Sequence, residues 1–553
     1  MNRADAMEHM AGTTFDVCVI GGGATGSGCA LDAQLRGLNT VLVESGDFGS
    51  ATSSASTKLV HGGVRYLRQA VTRLDIDQYR VVKSALQERA VMIRNAPYLA
   101  HPLELQIPCR NWFELAFYGI GMKLYDWISG ESSLLASRIS GYRETVRRSS
   151  ILTRDRKKLA GSVVYADGQF DDARYNLALV ESCVEEGGGT LNYARVTGFE
   201  TGTDGKLTAA LIEDMESKSR FRIEARAFVN ATGPSSDTVR ILANARAARR
   251  LRVSKGVHIL FPLDPTVSQA ALLIPKTEDG RLVFAIPWLG RLLVGTTETE
   301  ASQDDEMLVK RDEGEYLLRQ INPYLHTPLR LEQIVSGFAG LRPLLSAGTG
   351  SETNRLARDH EVETDATSGL ISVMGGKWTT YRVMAKDTVD SVQRYLNVPV
   401  TPASTDRHPL AGSQGYSSHF QQSLMNTHGV TEATARHLVG KYGTDASEVL
   451  TLAGSRPELK QPIVPGLPPL QAQIVYGIRN ERARTIEDVL ARRIGLQFYG
   501  WQPAMQAAPI VSRYLAEELG GPQWNEAVEQ YIRKIRTMVD SIGLPMEPTP
   551  DLE

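Results

Sequence analysis

Apolar and polar positions divide the chain into three regimes. In the first, short apolar runs alternate with amphipathic ones. Phe15-Asp-Val-Cys-Val-Ile20 is compact and β-branched, which predicts a strand buried on both faces of a parallel sheet. Ala24–Arg36 predicts a helix, and Asn39–Val43 a second strand ending at Glu44. Further on, Asp75–Asn95 predicts an amphipathic helix and Tyr98–Pro108 a loop followed by a strand. Ala166–Asp172 predicts a turn. The helix Ala173–Glu186 follows, with Asp171 or Asp172 as its N-cap and Gly187–Gly189 as its stop. Leu191–Val196, Leu207–Ile212 and Phe221–Ile223 predict strands, as do Ala227–Gly233 and Leu370–Met374. In the second regime, Gly256–Leu341, short strands separated by turns dominate: Val257–Phe261, Ala271–Ile274, Leu282–Ile286 and Leu292–Thr296. The third begins after the proline-flanked boundary Val398–Pro402 and is helical, with Glu432–Tyr442, Ala446–Leu452, Leu470–Asn480, Thr485–Arg493 and Met505–Leu519 as its segments.

The junctions of the first regime carry chemistry. Gly21, Gly23 and Gly26 stand at Gly-x-Gly-x-x-Gly spacing between the first strand and its helix. Such a turn needs Gly21 for its tightness, Gly23 for close approach of a pyrophosphate and Gly26 for strand–helix packing. The helix start offers free N–H groups to phosphates, and Glu44 sits where an acid accepts hydrogen bonds from ribose hydroxyls. No basic residue follows Glu44 directly, which disfavours a 2′-phosphate.

Two later segments return to the nucleotide. Ala231-Thr232-Gly233 ends a strand and opens a helix, and Gly375-Gly376-Lys377-Trp378-Thr379 does the same. A mobile nicotinamide would not need these extra contacts, so the nucleotide reads as resident FAD. The small hydroxylated loop Gly49–Thr57, with Thr52, Ser53 and Ser54, suits close packing on it. That loop leads to His61, Gly62, Arg65 and Tyr66.

Composition sets bounds. At 553 residues the chain needs more than one core. The net charge of −2 offers nucleic acid no global attraction, and none is expected as a partner. Cys18, Cys29, Cys109 and Cys183 are scattered without a ligand spacing, so neither a disulfide framework nor a metal is expected. Met1–Thr14 lacks the apolar core of a signal peptide and is expected to be a frayed leader, and no stretch reaches transmembrane length. Two segments could touch a bilayer locally. Trp112–Trp127 is dense in aromatics, although core or interdomain helices are the commoner meaning. Arg240–Lys255 carries six cations and no acid, although a solvated helix face is the commoner meaning there too.

The finer motifs resemble the FAD-dependent glycerol-3-phosphate dehydrogenases of the aerobic, quinone-linked type. The resemblance rests on Gly21–Gly26, Thr52–Leu67 with Leu59-Val-His-Gly-Gly-Val-Arg-Tyr66, Asn230–Pro234 and Lys255–His258. It extends over Gly340–Pro343, Arg358–His360, Gly375–Arg382 and, in the tail, Thr485–Arg493. It implies a specific architecture: an α/β fold with a Rossmann-like FAD-binding domain, an inserted antiparallel-β substrate domain and a C-terminal all-α domain. The expected FAD-binding segments are 15–110, 151–256 and 355–397, the cap segments 111–150 and 257–354, and the helical domain 404–553. It further implies oxidation of glycerol 3-phosphate to dihydroxyacetone phosphate, with electrons passing to a membrane quinone from a protein lying peripherally on the cytoplasmic face of the cell membrane. A homodimer is left open.

Oxidising a secondary alcohol needs a hydride acceptor and a base. FAD is the first, and His61 or His258 could be the second. Arg65, Arg342, Arg358 and Lys377 are candidates for the substrate phosphate and for stabilising developing negative charge, and Tyr66 for a hydrogen bond to substrate. Arg342 is expected at a turn. A glycerol-3-phosphate oxidase delivering electrons to oxygen, an amino-acid oxidase of the same fold, a non-catalytic FAD-binding protein and a tRNA-modifying flavoprotein are the alternatives.

Overall fold

The computed structural model describes residues 3–63, 76–264, 270–345, 360–520 and 524–545. Two sheets organise the first 400 residues. In the first sheet, Thr14–Ile20 lies between Arg220–Asn230 and Thr40–Val43, parallel to both, with Val17 opposite Thr40 and Cys18 opposite Phe228. Ile371–Gly375 continues it, parallel beside Val229 and Asn230, and Gly189–Leu191 closes the other side. Every residue from Val17 to Ile20 is buried: Val17 and Val19 pack with the helical residues Ala30, Leu31 and Met384, and Cys18 and Ile20 pack on the other face with Ala194, Ala210 and Ile212. The helix Ala24–Leu35 packs on Tyr381–Tyr395 and on Asp172–Glu185. Asp171 is the N-cap of the last of these and accepts from the Arg174 N–H.

The second sheet is larger than the apolar pattern predicted. Leu251–Pro262 pairs antiparallel with Arg291–Gly295, Thr299–Ala301 and Ser336–Leu345. The sheet then runs through Val283–Trp288 and Ala271–Ile274 to Ala100–Cys109 and Gly161–Phe170. It therefore takes strands from both sides of the boundaries expected at 110, 150 and 256. Leu103, Leu105 and Ile107 alternate toward one apolar cluster with Val163 and Leu273, and that shared core recruits them. Ala166–Phe170, expected as a turn, ends a ten-residue strand. Arg342, also expected at a turn, lies within Ser336–Leu345 opposite Ser254. Pro343 is tolerated there because this strand pairs on one side only.

One terminal expectation changes as well. Arg3–Ala11 is a helix, with Arg3 bonded to the Asp214 carboxylate at 2.6 Å and to the Asn192 carbonyl at 2.7 Å. A long-range ion pair and the burial of Met10 hold what local pattern alone left frayed. The C-terminal region is helical, with Thr485–Arg493 wound as a π-helical turn over its last six residues. Four of the six cations in the run Arg240–Lys255 are ion-paired: Arg240 with the neighbouring Asp237 and the distant Glu363, Arg250 with Glu361, Arg252 with Glu300 and Lys255 with Glu313. It forms a helix end, a loop and a strand, and Arg246 and Arg249 in the loop are exposed.

Candidate active site

The first strand, its turn and its helix create a cleft above the parallel sheet. Gly21 has φ +106°, and a Cβ on Gly26 would come 1.8 Å from the Gly21 carbonyl oxygen, so the tight turn admits only glycine at both positions. The helix Ala24–Leu35 starts at Gly23 without a side-chain cap, and the Ala24 N–H donates to the Ser53 hydroxyl at 2.9 Å. Glu44 closes one end of the cleft. Its carboxylate accepts from the Gly22 and Gly46 N–H groups at 2.7 and 2.8 Å. Burial pushes that carboxyl above the usual range against the pull of these donors.

The cleft has a volume of about 570 Å³. It runs from Glu44 past Gly21, Gly23, Thr52 and Ser53, then Ala231, Thr232 and Gly233, to Gly375, Gly376, Lys377 and Trp378. Gly375 and Gly376 both have left-handed φ, and a Cβ on Gly376 would strike the Met384 sulfur at 2.3 Å. A second cavity of about 390 Å³ adjoins at Thr52, Pro343, Gly376, Lys377 and Trp378. His61, His258, Arg342 and Thr379 line it.

Each candidate side chain in the second cavity has a fixed partner. The Trp378 indole donates to the Ser53 carbonyl at 2.8 Å, and the Thr52 hydroxyl to the Leu341 carbonyl at 2.6 Å. Arg342 donates through Nη1 to the Thr297 carbonyl and through Nη2 to the Thr296 hydroxyl. His258 stacks on Phe338 with ring centroids 4.8 Å apart, and its Nε2 lies 3.0 Å from the Thr57 hydroxyl. Burial lowers the His258 pKa well below its ordinary value, and Arg342 and Lys58 add to this, so the ring is neutral. His61 is also lowered by burial, with Lys377 and Arg89 acting the same way against Asp167. The Gly63 N–H donates to His61 Nδ1 at 3.0 Å, so neutral His61 carries its proton on Nε2.

Not every expected residue reaches a cavity. Gly26 packs the turn, Ser54 turns its carbonyl to Lys58 Nζ at 2.8 Å, and Gly62 sits against Leu86 and Tyr125. Arg65, Tyr66 and Arg358 lie outside the described residues. Arg281 joins the second cavity unannounced, its Nη1 donating to the Glu298 carbonyl at 2.6 Å. Its only sequence signal was a basic residue after a Glu-Asp-Gly turn. Among the described residues no His, Cys, Asp and Glu group could hold a metal.

A glycine-lined cleft on a parallel sheet, opening onto a cavity walled by an antiparallel sheet, defines a nucleotide-dependent oxidoreductase. Residues 16–382 match the family model for FAD-dependent oxidoreductases, and residues 403–528 match that for the C-terminal domain of α-glycerophosphate oxidase. The chain is 38% identical over 527 residues to the mitochondrial glycerol-3-phosphate dehydrogenase of Homo sapiens, covering 93% of this chain and 72% of that one. It superposes on the Bacillus halodurans glycerol-3-phosphate dehydrogenase, solved with FAD, with a TM-score of 0.78, 30% identity and 99% coverage of both chains. The Mycoplasma pneumoniae L-α-glycerophosphate oxidase shares the fold, with a TM-score of 0.54 and 16% identity over 71% of this chain and 97% of that one. The chain belongs to the FAD-dependent glycerol-3-phosphate dehydrogenase family. FAD is its cofactor, and the glycine turn, the buried Glu44 carboxylate and the helix start at Gly23 fit that dinucleotide.

Proposed function

We propose that the enzyme oxidises glycerol 3-phosphate to dihydroxyacetone phosphate and delivers the two electrons to a membrane quinone. The observation that carries the substrate step is the junction of the two cavities at Lys377, with Arg342, Arg281 and His258 on the far walls. In this reading 15–110, 151–256 and 355–397 serve FAD, with Ala100–Cys109 and Gly161–Phe170 lending strands to the cap sheet, 111–150 and 257–354 supply the cap, and 404–553 is the helical domain.

FAD, when bound, supplies the acceptor for the carbinol hydride. Glu44 accepts the ribose hydroxyls, Gly21–Gly23 and the following helix start receive the pyrophosphate, and Gly375–Trp378 face the ring end. Arg342 and Arg281 bind the substrate phosphate, a role for which a fixed guanidinium fork is suited. Lys377, at the shared wall, stabilises negative charge developing on the substrate oxygen. His258 takes the hydroxyl proton. His61 is the poorer base, because the Gly63 N–H occupies its Nδ1 lone pair and leaves Nε2 a donor. The bound phosphate dianion offsets Arg342 and so restores basicity to His258.

The quinone step is supported by the helix Trp112–Ser129. Trp112, Phe113, Ile120 and Trp127 are each more than 70% exposed on one face, while Leu115, Met122 and Tyr125 are buried on the other. Exposed apolar surface of this density marks a contact site. Among the described residues no helix is long and apolar enough to cross a membrane. In this reading the enzyme lies peripherally, through this helix, on the cytoplasmic face of the cell membrane.

Anaerobic addition of glycerol 3-phosphate to the purified holoenzyme should bleach the flavin absorbance and yield one dihydroxyacetone phosphate per FAD. Turnover with a soluble quinone should then outpace peroxide release in air. No bleaching would remove the substrate assignment, and stoichiometric peroxide with no quinone reduction would make oxygen the acceptor.

A further inference from the structure

The C-terminal helical domain grips the FAD-binding loop at Asp47, three residues beyond Glu44. Asp47 is 1% exposed, and Arg493 is fully buried. Arg493 Nη1 and Nη2 donate to the two Asp47 oxygens at 2.5 and 2.9 Å. Arg492 Nε donates to Asp47 Oδ2 at 2.6 Å, and Asn192 Nδ2 to Oδ1 at 3.1 Å. The π-helical turn Asp488–Arg493 lets the two successive arginines converge on one carboxylate, which the 100° step of an α-helix opposes. Asp488 fixes that turn, accepting from Arg492, Thr485 and the Tyr193 hydroxyl.

From Asp47 the constraint reaches the cofactor cleft in short covalent and hydrogen-bonded steps. The neighbouring Gly46 N–H holds the Glu44 carboxylate, and the Gly46 carbonyl accepts from the Tyr193 N–H at 2.8 Å. On the other side, Phe48 is buried against Gly22, where a Cβ would meet its ring at 2.6 Å. The Gly49 N–H then donates to the Gly22 carbonyl at 3.0 Å. The loop thus wraps the phosphate turn, and its two charged anchors lie 445 and 446 residues away in sequence.

We propose that Asp47, Arg492 and Arg493 form a clamp by which the C-terminal domain sets FAD retention, acting as positioning residues through Gly46 and Glu44. The proposal rests on the placement of the adenosine ribose at Glu44. Outer groups that orient a ligand's direct contacts typically govern how long the ligand stays.

The test uses full-length holoenzyme variants D47N and R493K, with E44Q and R479A as references. R493K keeps the charge but loses the fork, and serves if D47N does not fold. R479A removes the bidentate Arg479–Glu518 pair on the surface of the same domain. FAD release is followed by flavin fluorescence after dilution, and melting temperature is recorded for apoprotein and for protein saturated with FAD. The clamp predicts about tenfold faster FAD release in D47N or R493K, and a smaller rise in Tm on FAD binding. R479A should release FAD at the parental rate. If D47N and R493K keep the parental release rate and the full FAD-dependent rise in Tm while E44Q loses FAD, the clamp is overturned. If E44Q also retains FAD normally, the ribose placement falls and the clamp with it.

Discussion

The Tyr125 hydroxyl stands 2.9 Å from the Gly62 nitrogen, accepting its hydrogen bond while donating to the Asp167 carboxylate at 2.8 Å. Asp167 is held in turn by Arg89 at 2.6 Å, and Tyr125, Asp167 and Arg89 are all buried. The helix with the exposed aromatic face therefore fixes, from its inner side, the loop that carries His61.

Tyr125→Phe should leave the Gly62 N–H buried and unbonded, at a cost of about 1–3 kcal/mol. The expected result is a lower Tm together with a reduced kcat/KM, since the displaced loop carries His61. A variant with parental kcat/KM and only the stability loss would show that the His61 loop does not depend on this bond.

Replacing Trp112, Phe113 and Ile120 by serine should release the protein from anionic liposomes while turnover with a soluble dye stays within about twofold. Each large apolar side chain buried contributes about 1.5–3 kcal/mol to binding, so the triple change removes most of the affinity. Co-sedimentation of the triple variant at the parental level would move the contact elsewhere.

Arg342→Lys keeps a charge but loses the fork held by Thr296 and Thr297. The expected fall in kcat/KM is tenfold to a hundredfold, from about 1.5–3 kcal/mol per charged hydrogen bond. Arg281→Met should raise KM in the same direction. Steady-state kinetics over a range of glycerol 3-phosphate concentrations measures both.

The lowered pKa of His258 has a definite sign. Between its folded value and the unfolded value of about 6.5, the unfolded chain binds more protons, so stability from this ring rises with pH in that window and is lost below it. Burial is the main cause and Arg342 the next, so Arg342→Gln should move the His258 titration toward higher pH. Histidine-labelled NMR of the holoenzyme reads this directly, and an unmoved resonance would exclude the field of Arg342 as a cause.

The cofactor frame was legible because it is local. Phe15–Glu44 is one strand–turn–helix–strand unit in which period, glycine spacing and terminal acid all lie within thirty residues, and the segments at Ala231 and Gly375 repeat the same local grammar. His258, Arg342 and Lys377 could be picked out as chemistry-bearing residues, but the cavity they share is set by strand register, such as Ser254 opposite Arg342. The connection between Ala271–Ile274 and Val283–Trp288 placed Arg281 beside them without a motif. Charge pairing was the least legible property. Arg240–Lys255 looks uniformly basic in sequence, yet acids up to 123 residues away neutralise much of it. The aromatic density of Trp112–Trp127 did not say which face would be outward, because that depends on the core built by Leu105, Val163 and Leu273 on the other side. Likewise Thr485–Arg493 was recognisable as a motif, but its purpose appears only when the fold brings Arg493 to Asp47. Sequence by itself determined the elements and the cofactor turn through short-range periodicity and backbone sterics. Tertiary structure alone decided the long-range partners of the charges, since pairing between distant segments depends on distance in space and leaves no trace in spacing along the chain.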